Sequence, residues 1–302
     1  MEINIHALSK VYPGGVRALN DLTLNINSGM FGLLGPNGAG KSTLMKILAT
    51  LEEPSSGDVH FNGKEIRKHR KAVRSSLGYL PQFFGVYPQL TGAEFLTYIA
   101  KLNGFSGKKL RETVLRTLES VALAQVRDRK AKTYSGGMLR RLGIAQAMIG
   151  EPDLLIVDEP TTGLDPEERI RFRNLLADIS RDKIIILSTH IVGDISSTCE
   201  DLAVIAKGSV VFNGAPHKLI DEAEDKVWHV RIDESDFSKI TRRVQVISTI
   251  PDGKKLLLRV VGEPDGDFQF EPAAPNLEDA YMYFMESVVG EKLDEEELAA
   301  NQ

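Results

Sequence analysis

One cysteine, Cys199, in 302 residues excludes an internal disulfide and any site built from several thiolates, and it fits a reducing compartment. No apolar run approaches the length needed to cross a bilayer, and the amino-terminal residues carry no basic-then-apolar leader, so a cytoplasmic chain is expected. An excess of positive charge is also lacking. Asp and Glu total 42 against 37 Lys and Arg, a formal charge of −5, which argues against nucleic acid as the main partner. The local exception is Lys64, Arg67, Lys68, Arg70, Lys71 and Arg74, whose spacing fits a solvated helix face better than a lipid or partner contact. What remains is ample apolar material: at 42% hydrophobic the chain can bury one large core and a smaller one.

The most informative segment is Gly35-Pro36-Asn37-Gly38-Ala39-Gly40-Lys41-Ser42-Thr43, which fits G-x-x-x-x-G-K-[ST]. Met30–Leu34 before it reads as a short buried strand, and Ser42 to Thr50 after it has helical apolar spacing through Leu44, Ile47 and Leu48. In that setting the glycines let backbone N–H groups turn inward around phosphate oxygens, and the helix N-terminus adds partial positive charge. Lys41 would neutralise the outer phosphates and the Ser42 hydroxyl would reach Mg²⁺, so a nucleoside triphosphate with Mg²⁺ is the expected ligand.

Short runs rich in Ile, Leu and Val at 154–157, 184–187 and 202–206 suggest strands covered on both faces. From about Thr91 to Gly150 the pattern is helical only: Thr91-Gly92-Ala93-Glu94 is a capping box, an amphipathic run covers Leu110 to Leu123, and a third helix follows Ser135. After a charged stretch at 221–226, alternating runs at 227–232, 244–250 and 255–261, separated by turn residues such as Pro251-Asp252-Gly253, predict a small sheet. A helix N-capped by Asn276 follows, with apolar positions Leu277, Tyr281, Phe284 and Met285. The expectation is an α/β fold. Its core is a P-loop NTPase with a mainly parallel sheet, an antiparallel β edge and a helical insert, joined to a small α+β carboxy-terminal domain. The boundaries are 1–224 for the core, about 91–150 for the insert, 225–290 for the accessory domain and 291–302 for an acidic tail.

Leu154-Leu155-Ile156-Val157-Asp158-Glu159 is a buried strand ending in two carboxylates, where an open parallel sheet carries its ligand chemistry. Asp158 can hold Mg²⁺ and Glu159 can polarise an attacking water. Together with the phosphate loop these residues resemble the ATP-binding subunit of ATP-binding cassette (ABC) transporters, over roughly residues 3 to 220. The resemblance also includes Tyr134-Ser135-Gly136-Gly137-Met138, similar to the family's signature sequence, with Arg140 and Arg141 behind it. Gln82 in Tyr79-Leu80-Pro81-Gln82, Gly163-Leu164-Asp165, His190 in Ser188-Thr189-His190, and Tyr12 complete it.

That resemblance implies roles which the residues alone leave open. Ser135 is by itself a helix cap, His190 an ordinary histidine after a strand, Gln82 a loop amide and Tyr12 a packed aromatic. In the family, Ser135, Gly136 and Gly137 would contact ATP held on a second copy, with two copies head to tail, and Asp165 would cross to the opposing phosphate loop. His190 would sense the γ-phosphate, Gln82 would contact Mg²⁺ and water, and Tyr12 would stack on adenine. Tyr134 stands where leucine is usual and Met138 where glutamine is usual. The carboxy-terminal sheet and helix resemble those of exporter ATPases with separate membrane subunits. The implied partners are a membrane permease and, with ATP bound, a second copy; the implied location is peripheral, on the inner face of the membrane.

Three functions compete: a transport motor, a soluble cassette ATPase outside transport, and a scaffold that binds ATP without turnover. Neither a second phosphate loop nor sustained heptads are present, against the second. Glu159 and His190, dispensable for mere binding, argue against the third.

Overall fold

The computed structural model describes residues 1–290 except 181 and 265; the acidic segment 291–302 lies outside the described residues. The six-stranded sheet at its centre runs in the order Ser209–Gly214, Asp201–Ala206, Gly29–Leu34, Ile184–Thr189, Leu154–Asp158, Leu77–Leu80. Neighbours are parallel except at Ser209–Gly214, which is the antiparallel edge. Gly29-to-Leu34, Leu154-to-Asp158 and Ile184-to-Thr189 are buried along nearly their whole length because both faces are covered. Leu154, Ile156, Ile184 and Ile186 join one apolar cluster with Leu44 and Ile47 of the helix Lys41–Leu48. Leu155, Val157, Ile185 and Leu187 join another on the opposite face, with Leu142 and Phe172 of the helices Gly136–Met148 and Pro166–Ile179.

A second, antiparallel sheet in the order Arg17–Asn27, Glu2–Val11, Ser56–Phe61, Lys64–Glu65 lies over the helix Lys41–Leu48, its Ile3, Ile5, Leu24 and Val59 entering the same cluster. The expected insert is helical, with Gly92–Leu102, Gly107–Ser120 and Gly136–Met148 as its α-helices. Its first cap is reciprocal: Glu94 N donates to Thr91 Oγ1 at 3.1 Å and Thr91 N donates to Glu94 Oε2 at 2.8 Å. The basic cluster near Lys64 finds local partners. Arg70 pairs with Glu53, Lys68 with Glu65 at 2.5 Å, and Arg74 Nε donates to Thr50 Oγ1 at 2.6 Å. Only Arg70, Lys71 and Arg74 lie on a helix, Arg70–Ser75, with Lys64 in the strand Lys64–Glu65 and Arg67 and Lys68 in the turn between, so the expected single helix face is not formed.

Residues after 226 form the antiparallel sheet Gln245–Asp252, Lys255–Val261, Val227–Asp233, Phe270–Pro272. Pro251 and Asp252, read above as turn residues, belong to the edge strand, paired with Leu256 and Lys255; the turn is Gly253-Lys254, with φ +65° at the glycine. Asn276 caps the helix Leu277–Tyr283, accepting from Glu278 N and Asp279 N at 2.8 and 3.0 Å. Leu277, Tyr281 and Met285 share the apolar cluster of Leu219, Ala223 and Phe172, so this helix packs onto the core. Among the described residues no helix is long and apolar enough to cross a membrane.

Candidate active site

Register levels three strand ends. Leu33 pairs with Ser188, Leu34 with Thr189 and Asp158 with Ser188, so the phosphate loop, the two acids and His190 all emerge from the carboxyl edge of the sheet. The loop is possible only with glycine at two tight positions: a Cβ at Gly35 would sit 2.2 Å from Ile205 O, and one at Gly40 2.4 Å from Ala18 O, at φ +155° and +109°. The loop opens a cleft of about 260 Å³ lined by Asn37, Gly38, Lys41, Ser42, Gln82 and Glu159 among others. Lys41 is 4% exposed; its Nζ donates to Gly35 O at 2.5 Å and Pro36 O at 3.0 Å and lies 3.8 Å from Glu159 Oε1. The ammonium is thus held at the cleft by carbonyls it can exchange for phosphate oxygens.

Asp158 and Glu159 have unlike surroundings. Asp158 accepts from the Ser188 hydroxyl, and Ser42 Oγ donates to the same oxygen at 3.5 Å. Burial, opposed by these hydroxyls, pushes its carboxyl above the ordinary 3.8, with the Glu159 charge adding to the shift. A buried carboxylate destabilised in its charged form, beside the Ser42 hydroxyl and an anion-binding loop, fits a divalent cation. Glu159 stands at φ +42°, a left-handed conformation that costs a non-glycine residue about 1–3 kcal/mol. Its backbone N donates to Ser188 O at 3.1 Å and Ser188 Oγ at 3.2 Å, which holds the turn.

That turn aims the Glu159 carboxylate into the cleft. Gln82 Nε2 donates to its Oε2 at 3.0 Å, and His190 Nδ1 lies 3.4 Å from the same oxygen. Burial alone would raise its pKa, but the His190 contact and the Lys41 charge win, holding it below the ordinary 4.5. A charged carboxylate with one edge toward the loop can accept a proton from water. His190 Nδ1 is buried and makes no well-formed hydrogen bond, a polar atom aimed at the site with capacity to spare.

Lys41, Ser42, Gln82, Asp158, Glu159 and His190 therefore come together at the cleft. Tyr12 reaches the loop helix: its hydroxyl donates to Glu52 Oε2 at 2.7 Å and lies 3.3 Å from Thr43 Oγ1, with Lys10 Nζ 5.1 Å from the ring centre. Ser135 and Asp165 are exposed helix caps, accepting from Met138 N at 3.2 Å and Glu168 N at 2.9 Å. Among the described residues no hydrogen bond or ion pair joins Ser135, Gly136, Gly137 or Asp165 to the phosphate loop of the same chain. Tyr134 is buried and its hydroxyl donates to Val126 O at 2.9 Å, while Met138 packs half-buried against the core.

Sequence reasoning missed Ser188, which ties Asp158 to the Glu159 turn; only the pairing of two distant strands reveals it. It also missed Asp194, 1% exposed, which accepts from the Thr161 hydroxyl and from Thr189 Oγ1 at 3.4 Å and so braces the segments that carry Glu159 and His190.

A family model described as ABC transporter matches residues 19–162. The daunorubicin/doxorubicin resistance ATP-binding protein DrrA of Streptomyces peucetius is 38% identical over 239 residues, covering 77% of this chain and 71% of that protein. Nod factor export ATP-binding protein I of Burkholderia orbicola (strain AU 1054) is 34% identical over 293 residues, covering 93% and 95%. Among solved structures, cbiO1 from Clostridium perfringens, part of the ABC transporter complex cbiONQ, superposes with a TM-score of 0.67 at 28% identity, covering 74% of this chain and 92% of that one. The fold is also that of the ATP-binding cassette MJ0796 in its dimeric post-hydrolysis state with ADP and Pi, at a TM-score of 0.64, 24% identity and 70% and 98% coverage.

Proposed function

Because the chain belongs to the ATP-binding proteins of ABC transporters, a family of ATPases, we propose that it is the motor subunit of an exporter. In this reading it binds MgATP, closes against a second copy, hydrolyses the nucleotide and drives a separate membrane permease. The observation that carries the reading is the convergence of Gln82, His190 and Lys41 on the Glu159 carboxylate at the mouth of the phosphate loop. Binding alone has no need of a buried, charged carboxylate held by partners from separate segments.

Loop N–H groups and Lys41 grip the phosphates, and Tyr12 stacks on adenine. Ser42, Asp158 and Gln82 hold Mg²⁺, which when bound offsets phosphate charge. Glu159 takes the proton of the attacking water; Gln82 and His190 orient it and the water. Ser135, Gly136 and Asp165 are exposed, Gly137 lies buried behind them in the first turn of the helix, and the four act on the nucleotide of the opposing copy. ATP at a shared interface then favours the closed pair, and its hydrolysis reopens it.

The export direction draws on the names of two similar proteins, one concerned with drug resistance and one with export, the second matching most of residues 225–290 as well. Those residues form an accessory domain after a core of 1–224, and the chain sits at the inner membrane face through its permease. The docking surface is the groove beside Gln82. Phe84 packs edge-on against Phe95 at 6.0 Å and seals core to insert, but Phe83 and Tyr87 are 88% and 58% exposed. Cysteines at Gln89 and Ala93 should crosslink to a membrane subunit in vesicles, and Lys41→Ala should abolish ATP binding by calorimetry. No crosslink at either position and no membrane protein co-purifying with the chain would leave an ATPase outside transport, and absence of turnover would leave a scaffold.

A further inference from the structure

We propose a second ligand site, separate from the nucleotide cleft: His6, Asp58 and His60 form a three-ligand site for a divalent transition metal such as Zn²⁺. The three sit on the outward face of the amino-terminal antiparallel sheet. Ile3 and Ile5, and Val59 and Phe61, alternate with them along the strands and are buried. His6 pairs directly opposite Asp58, and His60 lies two residues further along the Asp58 strand, so strand alternation delivers all three side chains to one patch.

One ligand atom from each residue falls within 4.8 Å of the others, with His60 Nδ1 2.9 Å from Asp58 Oδ1 and the two imidazole centroids 6.1 Å apart. Metal–ligand lengths of about 2.0–2.2 Å require ligand atoms about 3.3 Å apart in a tetrahedron, which small rotations of these side chains supply. Two imidazoles and a carboxylate are a donor set for Zn²⁺ and its neighbours rather than for Mg²⁺, and three protein ligands leave a position open to water.

The backbone beside the cluster is specially built. A bulge follows His6, with Ala7 at φ +46° and its N donating to Thr23 Oγ1 at 3.1 Å. Opposite, Gly57 at φ +79° has no room for a side chain: a Cβ there would lie 2.3 Å from Ala7 O and 2.5 Å from His6 O. The two strands are thereby drawn together where the ligands meet, and the bulge sets the direction of His6. A bound metal would clamp the two strands.

The test is titration of chelator-stripped, nucleotide-free protein with ZnCl₂ by calorimetry, with thermal melting in parallel. The parent should bind Zn²⁺ and gain thermal stability. His6→Ala and His60→Ala should each weaken the tightest Zn²⁺ site by at least about ten-fold, since even loss of an outer-shell partner costs that much. The double variant should lose the thermal gain, and exposed His217→Ala should behave as the parent. Unchanged ATP affinity in His6→Ala shows that the variant is folded. If the parent takes up no Zn²⁺, or both single variants bind it as the parent does, His60 and Asp58 make only a polar contact with each other and the proposal fails.

Discussion

Gln82 Nε2 donates to Glu159 Oε2 at 3.0 Å, joining residues 77 positions apart and linking the entrance of the helical insert to the carboxylate that faces the phosphate loop. The amide fixes the rotamer of that carboxylate while ATP binding rests on Lys41 and the loop. Gln82→Ala should therefore leave ATP affinity near the parent value and slow turnover by up to about 100-fold, the cost of an ångström of misplacement at a reacting group. Calorimetry and steady-state phosphate release on the same preparation check it.

The two neighbouring acids should respond oppositely to pH. Glu159 has its carboxyl held down in the folded state, so its contribution to stability is present above 4.5 and is lost as the pH falls through its lower folded value. Asp158 has its carboxyl pushed up, so ionisation disfavours the folded chain above 3.8, and the penalty is complete once the pH exceeds its folded value. Asp158→Asn should raise the melting temperature of nucleotide- and metal-free protein at pH 7. That gain should shrink as the pH is lowered toward 3.8, and Mg²⁺-dependent ATP turnover should be lost. A lower melting temperature at pH 7 would mean that the Ser188 and Ser42 hydrogen bonds outweigh the burial of charge.

Tyr134 and Gly92 should be thermodynamically coupled. A Cβ at Gly92 would lie 2.4 Å from Tyr134 Oη and 3.3 Å from Cζ, so Gly92→Ala should cost about 1–3 kcal/mol through overpacking. Tyr134→Leu removes the obstructing hydroxyl and the bond to Val126 O, costing about 1 kcal/mol alone. In its background Gly92→Ala should be nearly silent. Denaturant midpoints of the four proteins supply the cycle, and additive losses would contradict it.

Much of this site is legible in sequence where local backbone dictates residue type. Gly35 and Gly40 are imposed by carbonyls 2.2 and 2.4 Å from a missing Cβ, Gly38 by its φ of +80°, and the Thr91 and Asn276 caps by orphan helix N–H groups. Strands buried on both faces announce themselves as apolar runs. The amino-terminal antiparallel sheet has one outward face with polar residues such as Asn4, His6 and His60, and so reads less clearly. Ser188 and Asp194 escape notice because their roles arise from pairing across the sheet and packing between segments, which no short window contains. Phe270–Pro272 is too short to carry a period. Tyr134, a departure from the usual signature, is explained by tertiary context, since Gly92 leaves its hydroxyl a place and Val126 O accepts from it.

Glu159→Gln tests most directly whether Glu159 is the general base of an ATPase that closes on a second copy around its substrate. The amide keeps the shape but removes the basic oxygen, a loss of about 10²–10⁴-fold in turnover, while Lys41 and the loop still bind phosphate. Light scattering with MgATP, together with quenched analysis of the bound nucleotide, should find the variant accumulating as a dimer holding intact ATP. Addition of Ser135→Arg should return it to monomer. Hydrolysis at the parent rate would contradict the claim and move the search for the base to Asp158 and His190.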